Sequence, residues 1–195
     1  MVQASDAHSL RTDTTTEAIR ALEHSVKCLE LGRNDAYQLK WAIHALQQST
    51  QQFMFATFDF GDRQSLDGDW WAAWQRAFDS GMAYPDDEPK TNFLDVYKRF
   101  KKRNPSFASL ASSVGVDFHR GRDVRNAFEH LSPKAWVIGA AQLRASAGAF
   151  LRVIRFIVCE RQDAYSRVYW PDDEDEADAI ALLARGERAV APGGA

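Results

Sequence analysis

Arg125, Asn126 and His130 place a fixed cation, a hydrogen-bonding amide and a titratable imidazole on one short stretch of chain. Phosphodiester chemistry uses these groups together. A guanidinium can hold two phosphate oxygens and stabilise the added negative charge of a pentacoordinate intermediate. An imidazole can take or give a proton near neutral pH. On a helix, Asn126 and His130 are four positions apart, so the amide can orient the ring. The longer stretch from Arg122 to Lys134 is amphipathic: at about 100° per residue, Val124, Ala127, Phe128 and Leu131 share one face and Arg122, Arg125, Asn126, Glu129 and His130 the other. Ser132 is expected to cap the next helix and Pro133 to begin it, which sets His130 in a corner where free N–H groups attract anions. Arg125, Asn126 and His130 are therefore the candidate catalytic residues, with Arg120, Arg122 and Lys134 as candidate substrate-binding cations. The plainer reading of the same residues is a solvated helix face with Arg125 paired to Glu129. His44 and His119 are expected to be ordinary surface or partly buried histidines. No metal or cofactor is expected, because the carboxylates cluster only near the C-terminus and in loops such as Asp86 to Glu88, without the spacing of a zinc or two-metal site.

An all-α scaffold is expected to position these groups. After a leader over 1–13, Thr14 and Glu17 read as a capping box ahead of Ile19, Leu22, Val26 and Leu29, a first helix that Gly32 ends. Asn34 is expected to cap a second helix running to about Gly61, antiparallel to the first because the link is short. Residues 62–90 break the period with glycines and prolines, yet Trp70, Trp71, Trp74 and Phe78 suit one short helix, read as an insertion covering an end of the bundle. A third helix from Thr91 carries Phe93, Tyr97 and Phe100 and stops at Asn104 and Pro105. Its basic end, Lys98 to Arg103, either complements the helix dipole or joins Arg120, Arg122 and Lys134 in one phosphate-tracking surface. Gly115 and Gly121 are expected to bend the chain before Arg122, and Pro133 to about Glu160 to form the longest helix. Residues 161–195 read as an acidic tail with one loose helix. The resulting fold class is an antiparallel helical bundle of four to five main helices, occupying 14–160.

Composition narrows the partners. The chain has 195 residues and a formal charge of -3, so any hold on nucleic acid must come from a local patch rather than from bulk charge. Its two cysteines, Cys28 and Cys159, each lie in an apolar helical pattern and suggest neither a disulfide nor a zinc site. No window is long and apolar enough to span a membrane, and the expected location is the cytoplasm.

The run Arg-Asn-Ala-Phe-Glu-His over 125–130, late in a helical chain and ahead of a long helix, resembles the RxxxxH motif of the HEPN superfamily. The opening helix pair and the Asn92-Phe-Leu-Asp-Val-Tyr-Lys-Arg-Phe segment are similar to that family too, over roughly residues 15–160. The resemblance implies a metal-independent endoribonuclease, of the toxin or defence-effector kind, acting at Arg125, Asn126 and His130. Cleavage by the RNA 2′-hydroxyl would leave a 2′,3′-cyclic phosphate and a 5′-hydroxyl. It also implies a homodimer with the motif residues at its interface, and an antitoxin or nucleotidyltransferase-like protein as partner. Other members are non-catalytic modules that bind RNA or protein, and that alternative stays open. The Trp-rich insertion and the acidic C-terminal residues depart from the smaller members of the family.

Overall fold

The computed structural model describes residues 13–58, 68–83, 92–129, 137–160, 168 and 170–191. Among these residues there are seven α-helices and no strand. They are α1 (Thr14–Leu31), α2 (Gln38–Ala56), α3 (Gly68–Ser80), α4 (Phe93–Arg103), α5 (Phe107–Glu129), α6 (Ala140–Arg155) and α7 (Asp173–Val190), with a π-helical turn, Phe156–Glu160, continuing α6. Among the described residues no helix is long and apolar enough to cross a membrane.

The first two helices form the expected antiparallel pair, pinned by Ser49 Oγ donating to the Ala18 carbonyl at 2.9 Å. The starts of both differ from expectation. Asp13, not Thr14, caps α1, accepting from Thr15 N at 2.8 Å and Thr16 N at 2.9 Å. Those bonds, the one from the Thr16 amide above all, hold its carboxyl below the usual range. Asp35 rather than Asn34 organises the start of α2, its carboxylate accepting from Tyr37 N at 2.9 Å. The leader over 1–12 lies outside the described residues.

An aromatic cluster holds α4, α5 and α6 together. Asn104 turns the chain by donating from Nδ2 to the Phe100 carbonyl at 2.8 Å, and its own carbonyl accepts from Phe107 N at 3.0 Å. This corner sets α4 and α5 antiparallel, with Phe100 on Phe107 at 5.1 Å and Tyr97 on Phe118 at 5.2 Å between ring centroids. Phe118 then meets Phe150 of α6 at 4.7 Å.

Gly121 does not bend the chain as the sequence reading expects, and neither does Gly115. Helix α5 runs through both. The need at 121 is close approach: a Cβ there would lie 2.5 Å from Phe150 Cε2 and 3.2 Å from Ser146 Cβ. A second correction concerns α6. Instead of beginning at Pro133 it begins at Ala140, because Val137 to Gly139 are not helical and Gly139 is extended (φ -67°, ψ 141°). Trp136, Pro133 and Ser132 lie outside the described residues.

The expected acidic tail contains a further member of the bundle. Helix α7 buries Ala179, Leu182, Leu183 and Ala189 and packs on α1 and α6. Gly186 permits the contact, since a Cβ there would stand 3.0 Å from Leu151 Cδ2. Two ion pairs frame it: Arg155 Nη2 with Glu187 at 2.6 Å, and Arg185 Nη2 with Glu30 at 3.1 Å. The acidic run has a local cause, for Asp172 caps α7 and Glu174, Asp175 and Glu176 occupy its first turn, where the helix dipole favours negative charge.

In α3 the aromatic side chains stack on one another, Trp71 on Trp74 at 5.2 Å and 3°, and Trp74 on Phe78 at 5.6 Å and 10°. Phe78 remains 63% exposed, so it does not serve as the cover for the bundle that the sequence reading expects.

The two α5 glycines make a matched test. Gly121→Ala should destabilise by about 1–3 kcal/mol, because the added methyl meets a packed aromatic ring. Gly115→Ala meets nothing within 4 Å and should stabilise by about 0.5–1 kcal/mol through helix propensity. Urea denaturation of both variants measures the difference, and equal effects would remove the close-packing account of Gly121.

Candidate functional site

Three of the expected site residues converge on one groove of about 430 Å³ between α2, the start of α4 and the last turns of α5. Helix α5 contributes Arg122, Arg125 and Asn126. Val124, on the opposite side of the same turns, is 3% exposed and anchors that segment to the core. From α4 come Asn92, Phe93 and Leu94. Asn92 caps that helix, its Oδ1 accepting from Asp95 N at 3.1 Å, and the first N–H groups of any helix have no acceptor within it. The groove therefore combines two guanidinium groups with a helix N-terminus, both of which favour an anion. Gln47 and Gln51 of α2 form the remaining wall.

The arginines are not bare. Arg125 is ion-paired with Glu129 one turn on, and its Nη1 donates to Asn126 Oδ1 at 3.2 Å. Arg122 donates from Nε at 2.9 Å and from Nη2 at 2.6 Å to Asp123 Oδ1. Arg120 pairs with Asp117 and is not among the residues of the groove. Each guanidinium carries five N–H donors, so these contacts fix its plane and leave donors over for a ligand. The paired arrangement of Arg125 and Glu129 is the one the plainer sequence reading expects. His130 and Lys134 lie outside the described residues.

Glu129 also reaches α2. Its Oε1 lies 3.6 Å from His44 Nδ1, which ties His44, Glu129, Arg125 and Asn126 into one chain of polar contacts across the two helices. Burial pushes the His44 pKa below its ordinary value; Glu129 opposes that shift, while Arg125, His24 and Lys40 add to it. The net effect favours the neutral imidazole. His119 is displaced downward too, by burial first and then by Arg122, and its ring packs edge-on against Tyr97 and Phe118. That makes it part of the aromatic cluster rather than of the groove.

Phe128 corrects the two-face assignment of α5. It is only partly buried, and Lys40 Nζ sits over its ring at 4.5 Å, over Trp41 at 4.9 Å and over Tyr37 at 5.3 Å. Phe128 therefore lies at the edge of the core, with one side of its ring against the apolar cluster and Lys40 over its face. The basic end of α4, Lys101 to Arg103, is at the other end of that helix from Asn92 and Leu94 and does not line the groove.

Sequence reasoning did not select Gln47, Gln51 or Asn92 and gave His44 an ordinary role. The available signal was the recurrence of His44, Gln47 and Gln51 at intervals of three and four, which puts these three polar side chains on one stripe of α2. Among the described residues no group of three or more His, Cys, Asp or Glu could hold a metal ion. Compared with known proteins, the chain matches no protein-family model, no curated protein and no solved structure.

The His44 environment predicts a titration midpoint below about 6.5, read by NMR of the ring nitrogens. Because the folded value is the lower one, the unfolded state binds more protons, and this residue's contribution to stability is lost as pH falls through and below that value. Glu129→Gln should lower the midpoint further, since it removes the carboxylate that favours the imidazolium. An upward shift would show that Glu129 does not face His44.

Proposed function

We propose that the chain is a metal-independent endoribonuclease of the HEPN type. What carries the reading is the convergence of Arg122, Arg125 and Asn126 on a groove closed by the N-terminus of α4. In this mechanism the RNA 2′-oxygen attacks the adjacent phosphorus and the 5′-oxygen departs, leaving a 2′,3′-cyclic phosphate and a 5′-hydroxyl. A base takes the 2′-hydroxyl proton and an acid gives one to the leaving oxygen. Arg125 meets the charge that develops on the phosphoryl oxygens, with its guanidinium plane fixed beforehand by Glu129 and Asn126. Arg122 and the α4 N-terminus help hold the same phosphate, and His130 transfers a proton. Arg120 and Lys134 extend the substrate-binding side of this proposal, as do a toxin or defence role and an antitoxin or nucleotidyltransferase-like partner.

A second reading has its own support. With Arg125 held by Glu129, and Glu129 beside His44, the polar contacts also suit a scaffold that binds RNA or a protein without cutting it. Incubation of the purified protein with RNA in EDTA separates the two. The enzyme reading expects fragments ending in cyclic phosphate, and their loss by at least a hundredfold in Arg125→Ala and in His130→Ala, with melting temperatures little changed. Intact RNA with the wild-type protein would favour the binding module.

The oligomeric state gives an independent check. The motif supplies one histidine where the reaction needs both an acid and a base, and a two-fold contact through this face would bring a second His130 to the same phosphate. Light scattering at micromolar protein should therefore report a dimer that RNA tightens, because an anion relieves the repulsion between facing arginines. A strict monomer that still cleaves would overturn the shared site and turn attention to His44 as the second imidazole.

A further inference from the structure

Gln47 is 3% exposed, lines the groove, and its Oε1 is buried without a hydrogen-bond partner. An acceptor left in that state is costly, and native structures satisfy nearly all such groups. Its neighbours in the groove supply a different chemistry: Arg122, Arg125 and the first N–H groups of α4 attract an anion, and Leu94, 38% exposed, offers an apolar wall. At about 430 Å³ the space falls toward the lower end of the roughly 300–1,000 Å³ usual for ligand clefts.

A bare phosphate would answer the cations and leave Gln47 as it is. A ligand that answers every wall must carry an anion, an apolar flat surface and an O–H or N–H donor. A nucleotide has all three. We infer that the groove holds one nucleotide of the bound RNA strand, its phosphate between Arg122, Arg125 and the α4 N-terminus and a base or ribose donor bonded to Gln47 Oε1. Gln51, one turn further along α2, adds a second amide to the same wall, and a glutamine amide offers the paired donor and acceptor that match a base edge. Gln47 is thus a specificity-determining residue, distinct from the groups that handle the proton and the phosphoryl charge. The inference rests on the reading of the chain as RNA-binding for the identity of the strand, but not for the chemistry of the groove.

Calorimetric titration of the full chain with inorganic phosphate and with adenosine 5′-monophosphate tests it. The nucleotide should bind about tenfold or more tighter than phosphate, and Gln47→Leu should erase that margin while leaving phosphate affinity unchanged. Its melting temperature should hold or rise, because the substitution removes an unsatisfied buried polar group. Gln47→Met, closer in shape, repeats the test should the leucine variant fold poorly. A short RNA should displace the bound mononucleotide. Equal affinity for phosphate and nucleotide, a margin that survives both substitutions, or no displacement by RNA would overturn the inference. A protein that cuts RNA yet shows no margin would keep the proposed activity and lose this site. One that shows the margin yet leaves RNA intact would lose the activity and keep the groove as a nucleotide site.

Discussion

The contact on which the rest depends is the approach of α5 to α6 at Gly121. Phe150 occupies the space that a side chain at 121 would need, and Phe118 closes over the same ring three residues earlier. This contact fixes both the depth and the rotation of α5, and so determines that Arg122, Arg125 and Asn126 turn toward α2 and the start of α4. A shallower approach would leave the same side chains on an open helix face, where solvent and salt screen their charge and they contribute little to selective binding. Packing of apolar surface thereby places the polar groups.

A bundle of this size has ample apolar surface to keep its helices together, and it tolerates local departures from full polar satisfaction. The orphaned Gln47 acceptor represents such a departure, of the order of 1–3 kcal/mol. A leucine at that position would suit a purely structural helix better. Sites that bind ligands often carry groups of this kind, since what is unsatisfied in the free protein is satisfied in the complex. The pairing of Arg125 with Glu129 and Asn126 fits the same view, because a guanidinium already fixed in its plane loses less freedom when a phosphate arrives.

The helical class of the fold was legible because apolar residues recur every three or four positions along α1, α2, α4 and α6, and that period has one main cause. Glycine has several causes, and position 121 shows the difficulty: the residue that could have marked a bend marks a close contact with Ser146 and Phe150, 25 and 29 positions further along the chain, which local pattern does not encode. The acidic run that opens α7 looked like a solvated tail because its charges are adjacent in sequence. They belong to a helix N-terminus whose short apolar face, Ala179, Leu182 and Leu183, finds its partners only in three dimensions. At the site, the arginines and the amide of α5 stood out by residue type, whereas Gln47 did not. Its importance comes from burial, and a glutamine in a helix carries no mark of being inside. Phe128 differs in the opposite sense, since an aromatic residue on the apolar side of a helix is expected to be fully buried and here it sits at the core's edge with Lys40 over its ring.

The central claim is that the anion-binding surface of this protein is the groove between α2, the N-terminus of α4 and α5. Titration of isotopically labelled protein with a short RNA, followed through the backbone amides of Phe93 and Leu94 and the side-chain Nε–H signals of Arg122 and Arg125, tests it directly. The account requires those four signals to move together and to saturate with one affinity. Saturating shifts confined to Lys101, Lys102 and Arg103, with the groove signals unmoved, would contradict it.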